Sequence, residues 1–172
     1  MKLLENGEAH NKDRQATLES SSHAKDVKRQ EAMYEEVLKN LRKSEKFEGA
    51  LEGELIFKGS TVTIRLEPNG DPIESVKSLA LKYLLSLEKY ESTALDKLVE
   101  DCFSMYNDDW RDEEDPVLTK EEFISNLTLY HIEFLSSDSV DFFHSENDMF
   151  GGHSLIPQSF DGESFTYVQM YG

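Results

Sequence analysis

The run Asp108-Asp109-Trp110-Arg111-Asp112-Glu113-Glu114-Asp115 carries six carboxylates in eight residues. Carboxylate oxygens are hard ligands, and such a density could hold Ca²⁺. A calcium loop, however, spaces its ligands around a central Gly and closes on a late Glu, and that Gly is missing here. Mutual repulsion favours instead an extended, hydrated loop or a loop that faces a partner. Trp110, the only tryptophan, sits inside this run. A large ring among charges either docks on the domain and pins the loop, which is the simpler expectation, or stands as an anchor for a partner.

A second group is Asp141, His144, Glu146, Asp148 and His153. Two imidazoles and three carboxylates within 13 residues could bind a metal or move a proton. Zinc needs about four converging ligands with each imidazole oriented by an outer partner. No H-E-x-x-H helix and no pair of Cys supports such a site, and Gly151-Gly152 separates the two histidines. The simpler expectation is a hairpin in which an Asp holds an imidazole and fixes the turn.

Asp148-Met149-Phe150-Gly151-Gly152-His153-Ser154 allows positive φ and close backbone approach at its glycines. It is neither a phosphate loop, because no Lys-Ser/Thr follows, nor a nucleophile elbow, because Gly-x-Ser-x-Gly is absent. Cys102 falls on an apolar stripe with Val99 and Phe103, which predicts a buried, inert thiol. No cofactor motif is present, and none is expected to bind.

The elements that position these residues follow from periodicity. Residues 1–22 are polar and predict a disordered tail. Residues 23–46 predict an amphipathic helix with Val27, Tyr34, Leu38 and Leu41 on one stripe. Residues 47–172 predict one α+β domain. It begins with a hairpin, Glu54–Phe57 and Thr61–Leu66, turning at Lys58-Gly59-Ser60. Asp71-Pro72-Ile73-Glu74 predicts a helix start, followed by the stripe Val76, Leu79, Ala80, Tyr83, Leu84 and Leu87. A second stripe runs from Leu95 to Tyr106, and Thr119-Lys120-Glu121-Glu122 reads as a capping box. Four strands are expected after Tyr130. Together these predict an antiparallel sheet with two to three helices on one face, preceded by the N-terminal helix.

The chain has 172 residues and a net charge of −17. Residues 1–46 hold 10 basic and 9 acidic side chains, whereas residues 47–172 hold 8 and 26, so the surplus lies wholly in the second part. That field repels phosphate, so neither nucleic acid nor an anionic membrane is an expected partner. With one cysteine no disulfide forms within the chain, which favours the cytoplasm. No stretch is long and apolar enough to span a bilayer.

Residues 47–172 resemble a bacterial family known as domain of unknown function 2262. The matching features are the hairpin from Leu51-Glu52-Gly53-Glu54 to Leu66, Asn107-x-x-Trp110 and Leu118-Thr119-x-x-Glu122-Phe123. Asp148-Met149-Phe150-x-Gly152-His153-Ser154 and Gly172 complete the set. The resemblance implies a bacterial α+β domain and brings no activity with it. The expected function is a non-enzymatic acidic binding module, of the kind that inhibits or regulates a basic protein. Its binding residues would be Trp110, Asp108, Asp109, Asp112, Asp148, Phe150 and His153. Alternatives are a metal-dependent or acid/base enzyme using His144, Asp148 and His153, and a structural accessory domain whose helix at 24–46 makes the contact. The oligomeric state does not follow from the sequence.

Overall fold

A computed structural model describes residues 27–172, so the expected tail over 1–22 lies outside the described residues. Helix α1 (27–39) presents Tyr34 and Leu38 to the core, while Val27 is exposed. It stops at 39 rather than 46. Asn40 donates its amide to the Glu36 and Val37 carbonyls, and Arg42–Lys43 then forms a short strand, β1, against β2. The spacing of Lys and Glu alone reads as helix through this stretch; pairing with a strand edge overrides it. Gly53, in the middle of β2 (Leu51–Phe57), makes room for this arrangement. A Cβ there would lie 2.6 Å from the Leu41 side chain.

β2 pairs in full register with β3 (Ser60–Leu66), from Leu51↔Leu66 to Phe57↔Ser60. The turn is the pair Lys58-Gly59, both at positive φ (48° and 83°). This is the type I′ geometry whose twist matches that of the strands. Helix α2 (Ile73–Leu85) buries Val76, Leu79, Ala80, Tyr83 and Leu84, the stripe the spacing predicts. Its start differs. Pro72 occupies the N-cap position without a side-chain cap. Asp71, the expected cap, accepts the Ser137 amide at 2.8 Å instead, and that bond holds its carboxyl below the usual range. The carboxylate thus ties the β3–α2 link to a turn 66 residues away.

Helix α3 (Leu87–Met105) runs 19 residues, about 28 Å at 1.5 Å per residue. It therefore reaches two cores. Its first turns pack with α1, α2 and the β2–β5 strands, and its later turns form a second cluster around Phe123 and Phe150. A π-helical turn over Tyr106–Trp110 extends it. Helix α4 (Lys120–Ser125) begins with the predicted capping box. Thr119 accepts the Glu122 amide at 3.2 Å, and the Glu122 carboxylate accepts the Thr119 amide at 2.8 Å.

Strands β4 (Thr128–Phe134), β5 (Val140–Ser145), β6 (Ser154–Ser159) and β7 (Tyr167–Tyr171) complete a seven-stranded sheet whose order follows the chain. Every pair is antiparallel except β3 with β4. The helical excursion between them carries the chain back to the end at which β3 began, so the two strands run parallel. The sequence pattern predicts antiparallel pairing throughout, and this one pair is the correction. The fold of the described residues is α+β, with four α-helices and a mostly antiparallel sheet.

Side-chain alternation gives the sheet two unlike faces. Val62, Ile64, Leu66, Ile132, Phe134, Val140 and Phe142 are fully buried in the first core. On the opposite face Arg65, Glu133, Asp141 and Gln158 lie side by side in register. Arg65 pairs with Glu133 and, at 2.9 Å, with Glu67, beneath the Phe47 ring. Gln158 donates to Asp141 at 2.8 Å, and burial raises the Asp141 carboxyl above its ordinary pKa. Among the described residues no helix is long and apolar enough to cross a membrane.

Candidate functional site

The motif segments converge at the far end of α3. Phe150, with no exposed surface, is their hub: its ring centroid lies 5.4 Å from Trp110, 5.7 Å from Tyr106 and 6.4 Å from Phe123. Edge-to-face contacts of this kind add to simple area burial. Trp110 also meets His153, at 5.8 Å between centroids. One side of the indole is therefore docked, yet the residue remains 42 % exposed. The docking expected of Trp110 is present on one side of the ring, and its other side is open to solvent.

Two local devices fix the acidic loop that Trp110 begins. Asn107 closes its base, donating from Nδ2 to the Leu118 carbonyl at 3.2 Å and accepting the Leu118 amide at 2.9 Å. Arg111, the one cation in the run, donates its guanidinium to the backbone carbonyls of Asp112, Asp115 and Asn107. Because Arg111 braces backbone, it leaves the carboxylates of Asp108, Asp109 and Asp112 exposed to water. Residues 100–122 carry ten carboxylates against Arg111 and Lys120, a local balance of −8.

The turn before β6 is held by Glu146. Its side chain, 2 % exposed, accepts the Phe150 amide at 2.6 Å and the Gly152 amide at 2.7 Å. The sequence pattern points to an Asp–imidazole bond as the clasp of this turn; the carboxylate that performs it is Glu146, and its partners are backbone amides. Asn147, Asp148, Gly151 and Gly152 all take positive φ between 51° and 83°, which the glycines relieve. His153 Nδ1 lies 2.5 Å from the Phe150 carbonyl. A carbonyl only accepts, so Nδ1 is the donor of this bond.

The five residues of the possible metal group do not meet. Asp141 lies on the polar face of the sheet, bonded to Gln158. His144 is fully buried on the core side and bonds Glu91 of α3 at 3.0 Å. Asp148 is exposed, and Glu146 is spent on the turn. Among the described residues no three His, Cys, Asp or Glu side chains are grouped to hold a metal. Asp148 and His153 do share an open groove of about 700 Å³ with Asn126, Tyr130, Asn147 and Ser154, but His144 is not part of it. Tyr130 and Ser154 are hydrogen-bonded across it at 2.7 Å. Of the expected binding residues, Trp110, Asp108, Asp109, Asp112 and Asp148 are exposed and His153 is half-buried. Phe150 is fully buried behind the Trp110 ring. Cys102 is buried, which pushes its thiol up to about 11. Sequence reasoning missed Glu146 as the turn's clasp and Glu91 as the partner of His144. The positive-φ turn two residues on was the available signal for Glu146; Glu91, 53 residues from its partner, left none.

Residues 12–165 match the model of a family described as an uncharacterized protein conserved in bacteria (DUF2262), and the chain belongs to that family. No curated protein and no solved structure matches it.

Proposed function

We propose that this protein is a non-enzymatic binding module that meets a basic protein through the acidic ridge of residues 100–122, with Trp110 as its anchor. The observation that supports this reading is the state of Trp110. Its ring is clamped by Phe150 and His153 yet 42 % exposed, beside the exposed Asp108, Asp109 and Asp112, while Arg111 in their midst is turned to backbone carbonyls. A rigid aromatic costs little entropy to bind, and a ring of charge around it steers a cationic partner and speeds encounter. An immunity-type inhibitor or another regulator of a basic protein has this chemistry. A cytoplasmic location fits the single, buried, unreactive thiol.

The test is affinity capture from bacterial lysate with the wild-type chain, Trp110→Ala and the triple variant D108N/D109N/D112N. One basic protein should be retained at low salt by the wild type and released as salt rises. Truncating the anchor should weaken retention by about 2 kcal/mol, some thirtyfold. Equal retention by all three proteins, or retention indifferent to salt, contradicts the reading.

A further inference from the structure

Strand β7 (Tyr167–Tyr171) pairs with β6 on one side, and among the described residues nothing pairs with its other side. Such an edge offers unpaired amides and carbonyls to any passing strand, and monomeric proteins blunt it with charge, proline or a bulge. The sheet's opposite edge follows that rule: β1 is two residues long, both cationic and both exposed. The β7 edge does not. Ser164–Gly172 contains no Asp, Glu, Lys, Arg or Pro, in a chain that is 31 % charged. Both charge and proline, which would obstruct pairing, are therefore missing from this exposed edge.

We propose that β7 pairs with β7 of a second copy of this chain, antiparallel about a two-fold axis at Gln169. The segment is self-complementary in that register. Tyr167 of one copy falls across Tyr171 of the other, Val168 across Met170, and Gln169 across Gln169. Aromatic and aliphatic partners meet their own kind, the cross-strand pairing that stabilises antiparallel sheets. Tyr167 and Tyr171 are 56 % and 67 % exposed, so both have surface to bury on pairing. The interface is isologous and uses up both β7 edges, while β1 blunts the far ends, so assembly closes at two copies and does not propagate. Two bodies of −17 repel one another, and salt screens that repulsion. Self-association therefore strengthens as salt rises, opposite to capture of a cationic partner by the acidic ridge. Failure of either reading leaves the other standing.

Sedimentation equilibrium of the full chain across a concentration series tests this. The wild type should approach twice its 19.8 kDa mass, more readily in added salt. Gln169 is exposed, so Gln169→Glu and Gln169→Lys leave the fold in place by circular dichroism. Each sets like charges opposite one another at the axis and should raise the dissociation constant about tenfold or more. An equimolar mixture of the two should recover the dimer. A 19.8 kDa species at every concentration, variants that dimerise like the wild type, or a mixture that stays monomeric each overturns the proposal. So does a monomer whose Val168 and Met170 amides resist hydrogen exchange, which would assign the edge to the chain's own residues 1–26.

Discussion

At the residue scale the site rests on a few side chains whose roles differ in kind. Glu146 holds two amides that would otherwise be left unsatisfied in a half-buried turn. Glu146→Ala should cost about 3 kcal/mol, read as a shift in urea midpoint, and Glu146→Gln less because one acceptor oxygen remains. Phe150 and Trp110 should separate in the opposite sense for stability and binding. Phe150→Ala empties the hub of the second core and should cost about 3–5 kcal/mol. Trp110→Ala removes a half-exposed ring and should cost about 1 kcal/mol of stability while removing most of the binding. Equal destabilisation by the two would mean that the indole is simply core. His131 carries the acid sensitivity. Burial and the Arg65 charge push it down to about 4 from 6.5, and the nearby Glu133 is already paired with Arg65. Below pH 6.5 the unfolded chain takes up a proton that the folded chain refuses, so this contribution is complete above pH 6.5 and fades as pH falls toward 4. The loss is at most about 3 kcal/mol. Wild type and His131→Gln should therefore diverge in urea midpoint at pH 7 and converge toward pH 4.5; parallel pH profiles would contradict the assignment.

At the element scale, the capping box and the Asn107 staple set the ends of the acidic loop. Thr119→Ala should destabilise the protein by about 1 kcal/mol. Asn107→Ala should leave the global midpoint nearly unchanged but speed amide exchange at Leu118, whose N–H then has no acceptor. Elements with strong local signals were legible in the sequence. The α2 stripe, the Thr119 box, the Lys58-Gly59 turn and the four C-terminal strands are each dictated within about a dozen residues. What the sequence did not yield depends on distant partners. Asp71 reads as a helix cap because nothing nearby reveals Ser137. Residues 40–46 read as helix because their strand partner lies beyond them. The histidine–carboxylate group looks like a site only until pleating sends Asp141 and His144 to opposite faces of β5. The candidate site was half legible for the same reason: Trp110 and its carboxylates are contiguous, whereas the Phe150 and His153 clamp comes from 40 residues on.

At the scale of the whole molecule, charge is distributed by region. Anions crowd the outer end of α3 and the loop after it, and the uncharged β7 edge lies at one side of the sheet. Under the two proposals this particle has one face for a cation and one edge for itself, with opposite responses to salt. Because Trp110 is the only tryptophan, its emission reports the proposed contact without a label. The decisive measurement is a fluorescence titration of the wild-type chain with the captured basic protein, read through red-edge excitation that selects the indole, with any tryptophan of the partner subtracted. The account predicts a saturable blue shift as the half-exposed ring is covered, with an apparent affinity that weakens about tenfold or more as ionic strength rises from 50 to 200 mM. Binding that leaves the Trp110 spectrum and its quenching by iodide unchanged would contradict it.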